Sequence, residues 1–116
     1  MLNDPNWDKK VEVEIGIDEI SKHIVRAADW LEANDWIQKK LFGPNEESAC
    51  ILGALVKVDP DHIVGSSLGT KDAYTASERI RKHLKVGLIG LWNDTPERTK
   101  EQVINMLRTV AYKGGK

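Results

Sequence analysis

The single cysteine and the histidines are the residues of this chain best suited to nucleophilic or acid–base chemistry. Cys50 lies between Ala49 and Ile51 in an apolar run, and such surroundings predict a buried thiol that stays protonated and unreactive. An enzyme of this kind would need a cleft that joins Cys50, His62 or His83 to carboxylates. We therefore predict that Cys50 serves packing and that the protein is not an enzyme.

A short acidic segment offers residue types that bind metal ions. Asp59, Asp61 and His62 lie close together, but the intervening Pro60 indicates a turn, and no Cys or His partner occurs at the spacing of zinc ligands. A glycine-rich stretch over residues 65–71 lacks the G-x-x-x-x-G-K-[ST] spacing of a phosphate-binding loop. We predict no metal site and no cofactor.

A run of basic residues offers a surface for nucleic acid. In a helix over residues 79–85, Arg79, Lys82 and His83 share one face, and Lys85 follows them. Such a run is usually a solvated helix face, and the formal net charge of −1 gives no overall attraction to phosphate. Residues 1–58 nevertheless hold more acids than bases, and residues 59–116 hold the reverse. Nucleic-acid binding through these four residues therefore stays open as the alternative function.

An aromatic and polar string is the most unusual local pattern. Trp92, Asn93 and Asp94 are followed closely by Arg98, a composition suited to a recognition cluster, and Trp36 is a further candidate anchor. The structural interpretation is that Asn93 and Asp94 form a turn and that Arg98 pairs with Asp94. The local chemistry favours this interpretation, and we keep Trp36, Trp92, Asn93, Asp94 and Arg98 as candidate binding residues.

Apolar residues that recur every three or four positions predict the helices that must position these residues. The first helix runs from Ile20 to Leu31, residues 34–35 end it, and residues 36–42 continue it with a bend. The last helix has the strongest signals, because Thr99 and Gln102 form a capping box before the apolar stripe. That stripe comprises Val103, Ile104, Leu107, Val110 and Ala111.

Residues 46–58 are apolar nearly all round, which is typical of a helix buried at the centre of a small fold. Ser48 is a candidate N-cap, and Gly53, a poor helix former, indicates close packing against a neighbour. Asp72 is a candidate N-cap for a helix that ends near Leu84. An apolar piece over residues 86–92 leads through a turn to the last helix.

The ends of the chain are less regular. Residues 1–10 are predicted to be a loose arm and residues 113–116 a flexible tail. Val11, Val13 and Ile15 alternate with glutamates, which predicts a short strand or an extended lead into the first helix. Residues 62–70 are predicted to be a loop.

Length and composition indicate the class of protein. The 116 residues, 41% of them hydrophobic, fit a single domain over residues 1–116. The helix pattern predicts an all-α fold, a compact bundle of four to five short helices around the central apolar helix. The lone Cys50, the lack of a signal peptide and the lack of a long apolar run predict a cytoplasmic protein without a membrane partner.

Three strings resemble a family of small uncharacterised proteins found in bacterial and bacteriophage genomes. They are A-D-W-L-E with W-I-Q over residues 28–38, A-C-I-L-G-A-L over residues 49–55, and L-W-N-D with R-T over residues 91–99. The resemblance covers the chain from about Ala27 onward, leaves out the arm before Gly16, and treats residues 59–71 as specific to this chain. It implies a helical fold and no particular activity.

A small non-enzymatic binding protein that acts through protein–protein contacts is the function these observations favour. A phage setting implies a host-interacting role, such as a phage accessory or anti-defence protein. We expect another protein as the partner, the homodimer stays open, and nucleic acid is the less favoured partner.

Overall fold

The computed structural model describes residues 18–62 and 70–114. Over these residues the order of elements is α1 (Glu19–Ala33), β1 (Asp35–Trp36), a 3-10 turn (Pro44–Glu46), β2 (Ser48–Ala49), α2 (Ile51–Lys57), α3 (Lys71–Leu84), α4 (Ile89–Asn93) and α5 (Lys100–Gly114). The predicted all-α class is confirmed. The arm over residues 1–10, the strand at residues 11–15, the glycine-rich stretch at 65–69 and residues 115–116 lie outside the described residues.

The two long helices, α1 and α5, form the frame of the fold and pack against each other. Asp18 caps α1 by accepting a hydrogen bond from the backbone N–H of Ser21 at 2.8 Å. Thr99 and Gln102 form the predicted capping box of α5, with reciprocal hydrogen bonds of 3.1 and 3.0 Å. The predicted apolar stripe of α5 is buried along its whole length. Local capping signals and apolar periodicity therefore agree with the tertiary packing.

Helix α2 lies against α1, α3 and α4, as predicted for the most apolar segment. It begins at Ile51 with Cys50 as N-cap, so the predicted N-cap Ser48 is wrong. Ser48 belongs to β2, because its carbonyl accepts a hydrogen bond from the Gly43 N–H at 2.9 Å and its strand pairs with β1. The close approach predicted at Gly53 is confirmed, since a Cβ there would lie 2.1 Å from the Leu41 carbonyl oxygen.

The prediction that residues 36–42 continue α1 with a bend is wrong. Trp36 pairs with Ala49 in a two-stranded parallel sheet, and the Ile37 N–H donates to the Ala49 carbonyl at 3.0 Å. Lys39 has a φ of 72°, a left-handed conformation that an α-helix does not accommodate. The Ile37 N–H is thus satisfied by β2 and the Lys39 N–H by the Asp94 side chain, instead of by a helical turn.

Thr70 caps α3, so the predicted N-cap Asp72 is also wrong. The Thr70 hydroxyl oxygen accepts from the Ala73 N–H at 3.4 Å, which places Asp72 inside the first turn, where its charge suits the helix dipole. Across residues 18–62 and 70–114, no helix has both the length and the apolar character needed to cross a bilayer.

Candidate functional site

Asn93 is the buried centre of the predicted recognition cluster, with only 1% of its surface exposed. Its Oδ1 accepts hydrogen bonds from the Trp36 indole Nε1 at 2.7 Å and from the Ile51 N–H at 3.1 Å. Its Nδ2 donates to the Ile37 carbonyl at 3.2 Å and to Asp94 Oδ1 at 3.0 Å. Both ends of the amide are satisfied inside the fold, and Asn93 joins the end of α4 to β1 and to the start of α2.

The residues beside Asn93 complete this joint. Asp94 Oδ1 accepts a hydrogen bond from the Lys39 N–H at 2.8 Å. Gln38 donates through Nε2 to the carbonyls of Asn93 and Thr95, both at 3.0 Å. The segment after β1 is therefore held against the end of α4 by side chains from both partners.

The prediction that Arg98 pairs with Asp94 is wrong. Its Nε donates to the Trp92 carbonyl at 3.0 Å, and its guanidinium carbon lies 3.7 Å from the centre of the Trp92 ring. The Arg98 N–H donates a hydrogen bond to the Thr95 carbonyl and closes a turn. This turn places the Arg98 guanidinium over the Trp92 indole, where a cation–π contact replaces the expected ion pair. The five candidate binding residues thus come together, but their hydrogen bonds are made within the chain.

The basic run on α3 contains residues held in ion pairs and residues that are exposed. Arg79 donates to both carboxylate oxygens of Asp18 at 3.1 Å, and its guanidinium holds the pKa of that carboxyl well below its usual range. Arg81 forms an ion pair with Glu78 at 2.8 Å. The other basic residues of the run, Lys82, His83 and Lys85, are exposed. Arg79 therefore ties α3 to α1, and its guanidinium is already engaged by Asp18.

The Cys50 thiol is buried, as predicted, and its Sγ accepts a hydrogen bond from the Gly53 N–H at 3.4 Å. Burial raises the pKa of this thiol, which keeps it in the protonated form. The imidazole of His23 donates through Nε2 to the Leu55 carbonyl at 2.8 Å, which gives it a structural role at the α1–α2 contact.

His62 belongs to a compact buried cluster. Its side chain is 6% exposed, and its Nε2 lies 2.8 Å from Glu46 Oε1, which also accepts from Lys57 Nζ at 3.0 Å. The His62 Nδ1 is buried without a hydrogen-bond partner, and the ring lies against Phe42. These groups hold the 3-10 turn to the end of α2.

The Asp59 carboxylate holds the two ends of the segment between α2 and α3 together. It accepts hydrogen bonds from the Asp61 N–H at 2.9 Å and from the backbone and hydroxyl of Thr70. Burial acts to raise the pKa of Asp59, but these hydrogen bonds outweigh it and the pKa is lowered. Within the described ranges, no group of three or more His, Cys, Asp or Glu residues could hold a metal ion.

Two adjoining cavities, of about 310 and 350 Å³, run beside α3 and share Leu52 and Ser77. Apolar side chains form most of the first, and Leu88 and Ile89 extend this character into the second. We call this surface the α3 groove. Its main apolar lining comprises Leu41, Leu52, Leu55, Val56, Tyr74 and Leu88.

Large apolar side chains are exposed in the lining of this groove and in α4 next to it. Tyr74 is 66% exposed, Leu88 63% and Leu91 69%. Leu88 is the N-cap residue of α4 and lines the groove, and Leu91 follows three positions later within the helix. Full burial of each leucine would gain about 1.5–3 kcal/mol, so their exposure leaves a substantial driving force for association.

A scan against protein families matches residues 17–113 to a model described as a family of unknown function, DUF6197. The chain belongs to the DUF6197 family. The match includes all three strings on which the resemblance was based and begins earlier than Ala27. Searches of curated proteins and of solved structures find no match.

For this DUF6197 protein, the sequence interpretation did not single out Tyr74, Leu88 or Leu91 as surface residues. A signal was present for Tyr74, because it falls outside the inner face of α3 that Ala73 and Ala76 define. An apolar residue outside the buried stripe of an amphipathic helix indicates an exposed contact. For Leu88 and Leu91, the short apolar piece had no period from which an outer face could be recognised.

Proposed function

We propose that this protein is a non-enzymatic binding protein that acts through protein–protein contact at the α3 groove. The observation that carries the proposal is the exposure of Tyr74 and Leu88 in the lining of two adjoining cavities, with Leu91 exposed in the helix that follows Leu88. Aromatic and aliphatic anchors next to a concave apolar floor are typical of the centre of a protein interface.

The residues of the recognition cluster hold α4 in place beside this surface. Asn93 and Asp94 fix the end of α4 to β1, and Arg98 covers the Trp92 ring. We propose that these residues position Leu88 and Leu91 instead of contacting the partner through their own polar atoms. A rigid surface loses less conformational entropy on binding than a mobile one, which favours affinity.

A host-interacting role fits this arrangement. The sequence resembles proteins found in bacterial and bacteriophage genomes, and a small cytoplasmic binder with one apolar groove suits a phage accessory or anti-defence protein. We propose this role, with another protein as the partner.

The test is an affinity capture of partners from lysate of the source cells with the wild type and with Leu88→Asp/Leu91→Asp. We expect the variant to lose at least about 90% of any stoichiometric partner, because two interface anchors become charged. Tyr112→Asp is the matched control, since Tyr112 is 47% exposed on α5 and does not line the groove. A partner recovered equally by all three proteins would contradict the proposal.

Nucleic-acid binding is the second candidate, favoured by the exposure of Lys82, His83 and Lys85. It predicts binding of labelled DNA or RNA at low salt that weakens steeply as salt rises and is lost in Lys82→Glu/Lys85→Glu. Binding with both properties would establish this second function. We expect no such binding, because Arg79 and Arg81 are already paired with Asp18 and Glu78.

A further inference from the structure

We infer that the partner segment held by the α3 groove is an acidic amphipathic helix. This inference rests on the proposed function and specifies the chemistry of the partner. The groove is about two helical turns long, neither β1 nor β2 lines it, and lysines are exposed along its rim.

The groove has the length of about two turns of helix. Its two cavities adjoin at Leu52 and Ser77 and follow α3 from Ala73 to Arg81, a rise of about 12 Å. Apolar residues at positions i, i+3, i+4 and i+7 of a partner helix span about 10 Å on one face. Such a face covers the floor of the groove from end to end.

A strand is the wrong occupant for this floor. Neither β1 nor β2 contributes a lining residue to the two cavities. An added strand would therefore bring backbone N–H and C=O groups against apolar side chains without an edge to pair with. A helix satisfies its own backbone groups and presents side chains only.

The rim of the groove, outside the lining residues, carries exposed lysines. Glu78, the one acidic side chain among the described lining residues, is already paired with Arg81 at 2.8 Å. Lys71 and Lys82 are exposed on the stripe of α3 next to Tyr74 and Glu78, and the exposed Lys85 follows the helix end. A partner helix with Asp or Glu beside its apolar face complements this rim.

The test uses a displayed library of helical peptides in which the apolar positions and the flanking positions are both varied. It is selected on the wild-type protein and counter-selected on Leu88→Asp/Leu91→Asp. We expect the enriched peptides to carry apolar residues at i, i+3, i+4 and i+7 with an excess of Asp and Glu beside them. Binding of a purified peptide is then measured by fluorescence anisotropy.

Charge reversal distinguishes an acidic partner from a merely apolar one. Lys82→Glu should weaken the selected peptide about three- to fivefold, and a peptide with its acids changed to Lys should regain binding to that variant. Arg26→Glu is the matched control, because it makes the same charge change at an exposed position of α1 and should leave the affinity unchanged.

Three results would overturn the inference. The first is that the enriched peptides are neutral or basic, and the second is that Lys82→Glu leaves the peptide affinity unaltered. The third is that light scattering shows a homodimer that Leu88→Asp dissociates, which would make a second copy of the chain the occupant. If no peptide is enriched while lysate capture still depends on Leu88 and Leu91, the helix inference fails and the proposed function stands. If capture is independent of these leucines, the proposed function fails.

Discussion

Asn93 forms hydrogen bonds with two donors and one acceptor of neighbouring segments. Without its side chain, these three groups would lack a partner inside the fold. The Trp36 indole N–H, the Ile51 N–H and the Ile37 carbonyl all meet its one amide. A buried polar group left without a partner costs about 1–3 kcal/mol, so the amide matters more for what it satisfies than for its own burial. Asn93 is therefore the polar side chain on which the joint between α4, β1 and α2 depends.

We predict that Asn93→Ala lowers the free energy of unfolding by about 3 kcal/mol, because the buried Ile51 N–H and the part-buried Trp36 indole N–H lose their acceptor. Urea denaturation followed by circular dichroism measures the change. Asn105→Ala on the exposed side of α5 is the control and should change stability by no more than about 0.5 kcal/mol. A loss below about 1 kcal/mol at position 93 would show that water or a rearranged neighbour replaces the amide.

At the scale of elements, the contact of α2 with the segment after β1 determines the floor of the α3 groove. Gly53 allows the helix to approach the Leu41 carbonyl so closely that a Cβ would lie 2.1 Å from the oxygen. Leu41 and Leu52 both line the groove. The same close approach therefore stabilises the fold and shapes the binding surface.

Two glycine substitutions of opposite sign test this contact. Gly53→Ala should destabilise the protein by about 1–3 kcal/mol, because overpacking outweighs the gain in helix propensity. Gly90→Ala in α4 should stabilise it by about 0.5–1 kcal/mol, because a Cβ there meets nothing within 4 Å. Thermal melts of both variants provide the comparison, and stabilisation by Gly53→Ala would refute the close approach.

At the scale of the whole molecule, carboxylate side chains hold neighbouring helices together through ion pairs and hydrogen bonds. Asp18 binds Arg79 across α1 and α3, Glu32 binds Arg108 across α1 and α5, and Asp59 closes the segment between α2 and α3. The pKa of each of these three carboxyls is lowered, for Asp18 and Glu32 chiefly by the paired arginine. All three favour the ionised form in the folded protein.

Stability should therefore fall in acid. A carboxyl with a lowered folded pKa contributes stability that is present above its unfolded pKa, near 4, and is lost as the pH falls through its folded pKa. We predict that the free energy of unfolding declines from about pH 5 downward and that Asp59→Asn makes this decline shallower. Urea titrations across that range measure both, and a pH-independent unfolding free energy in the wild type would contradict the prediction.

The sequence by itself determined the helices whose signals are local. The Thr99–Gln102 capping box and the three-to-four spacing of apolar residues act within one or two turns, so they are readable without knowledge of the partners. The burial of Cys50 followed from its apolar neighbours for the same reason. The five candidate residues at the α4 joint were recognised as a group, but their individual partners were not.

Only the tertiary structure decided the pairing of β1 with β2, the contact of Arg98 with the Trp92 ring and the existence of the α3 groove. The sheet and the groove depend on residues far apart in the chain, such as Asp35 with Ser48 and Leu52 with Leu88, whereas Arg98 reaches the nearby Trp92 ring through the turn between them. Residues 36–42 show why, since the Ile37 and Lys39 N–H groups find their acceptors in β2 and in Asp94 instead of in a helical turn. An exposed leucine and a buried one have the same local pattern, and only the neighbours brought by the fold distinguish them.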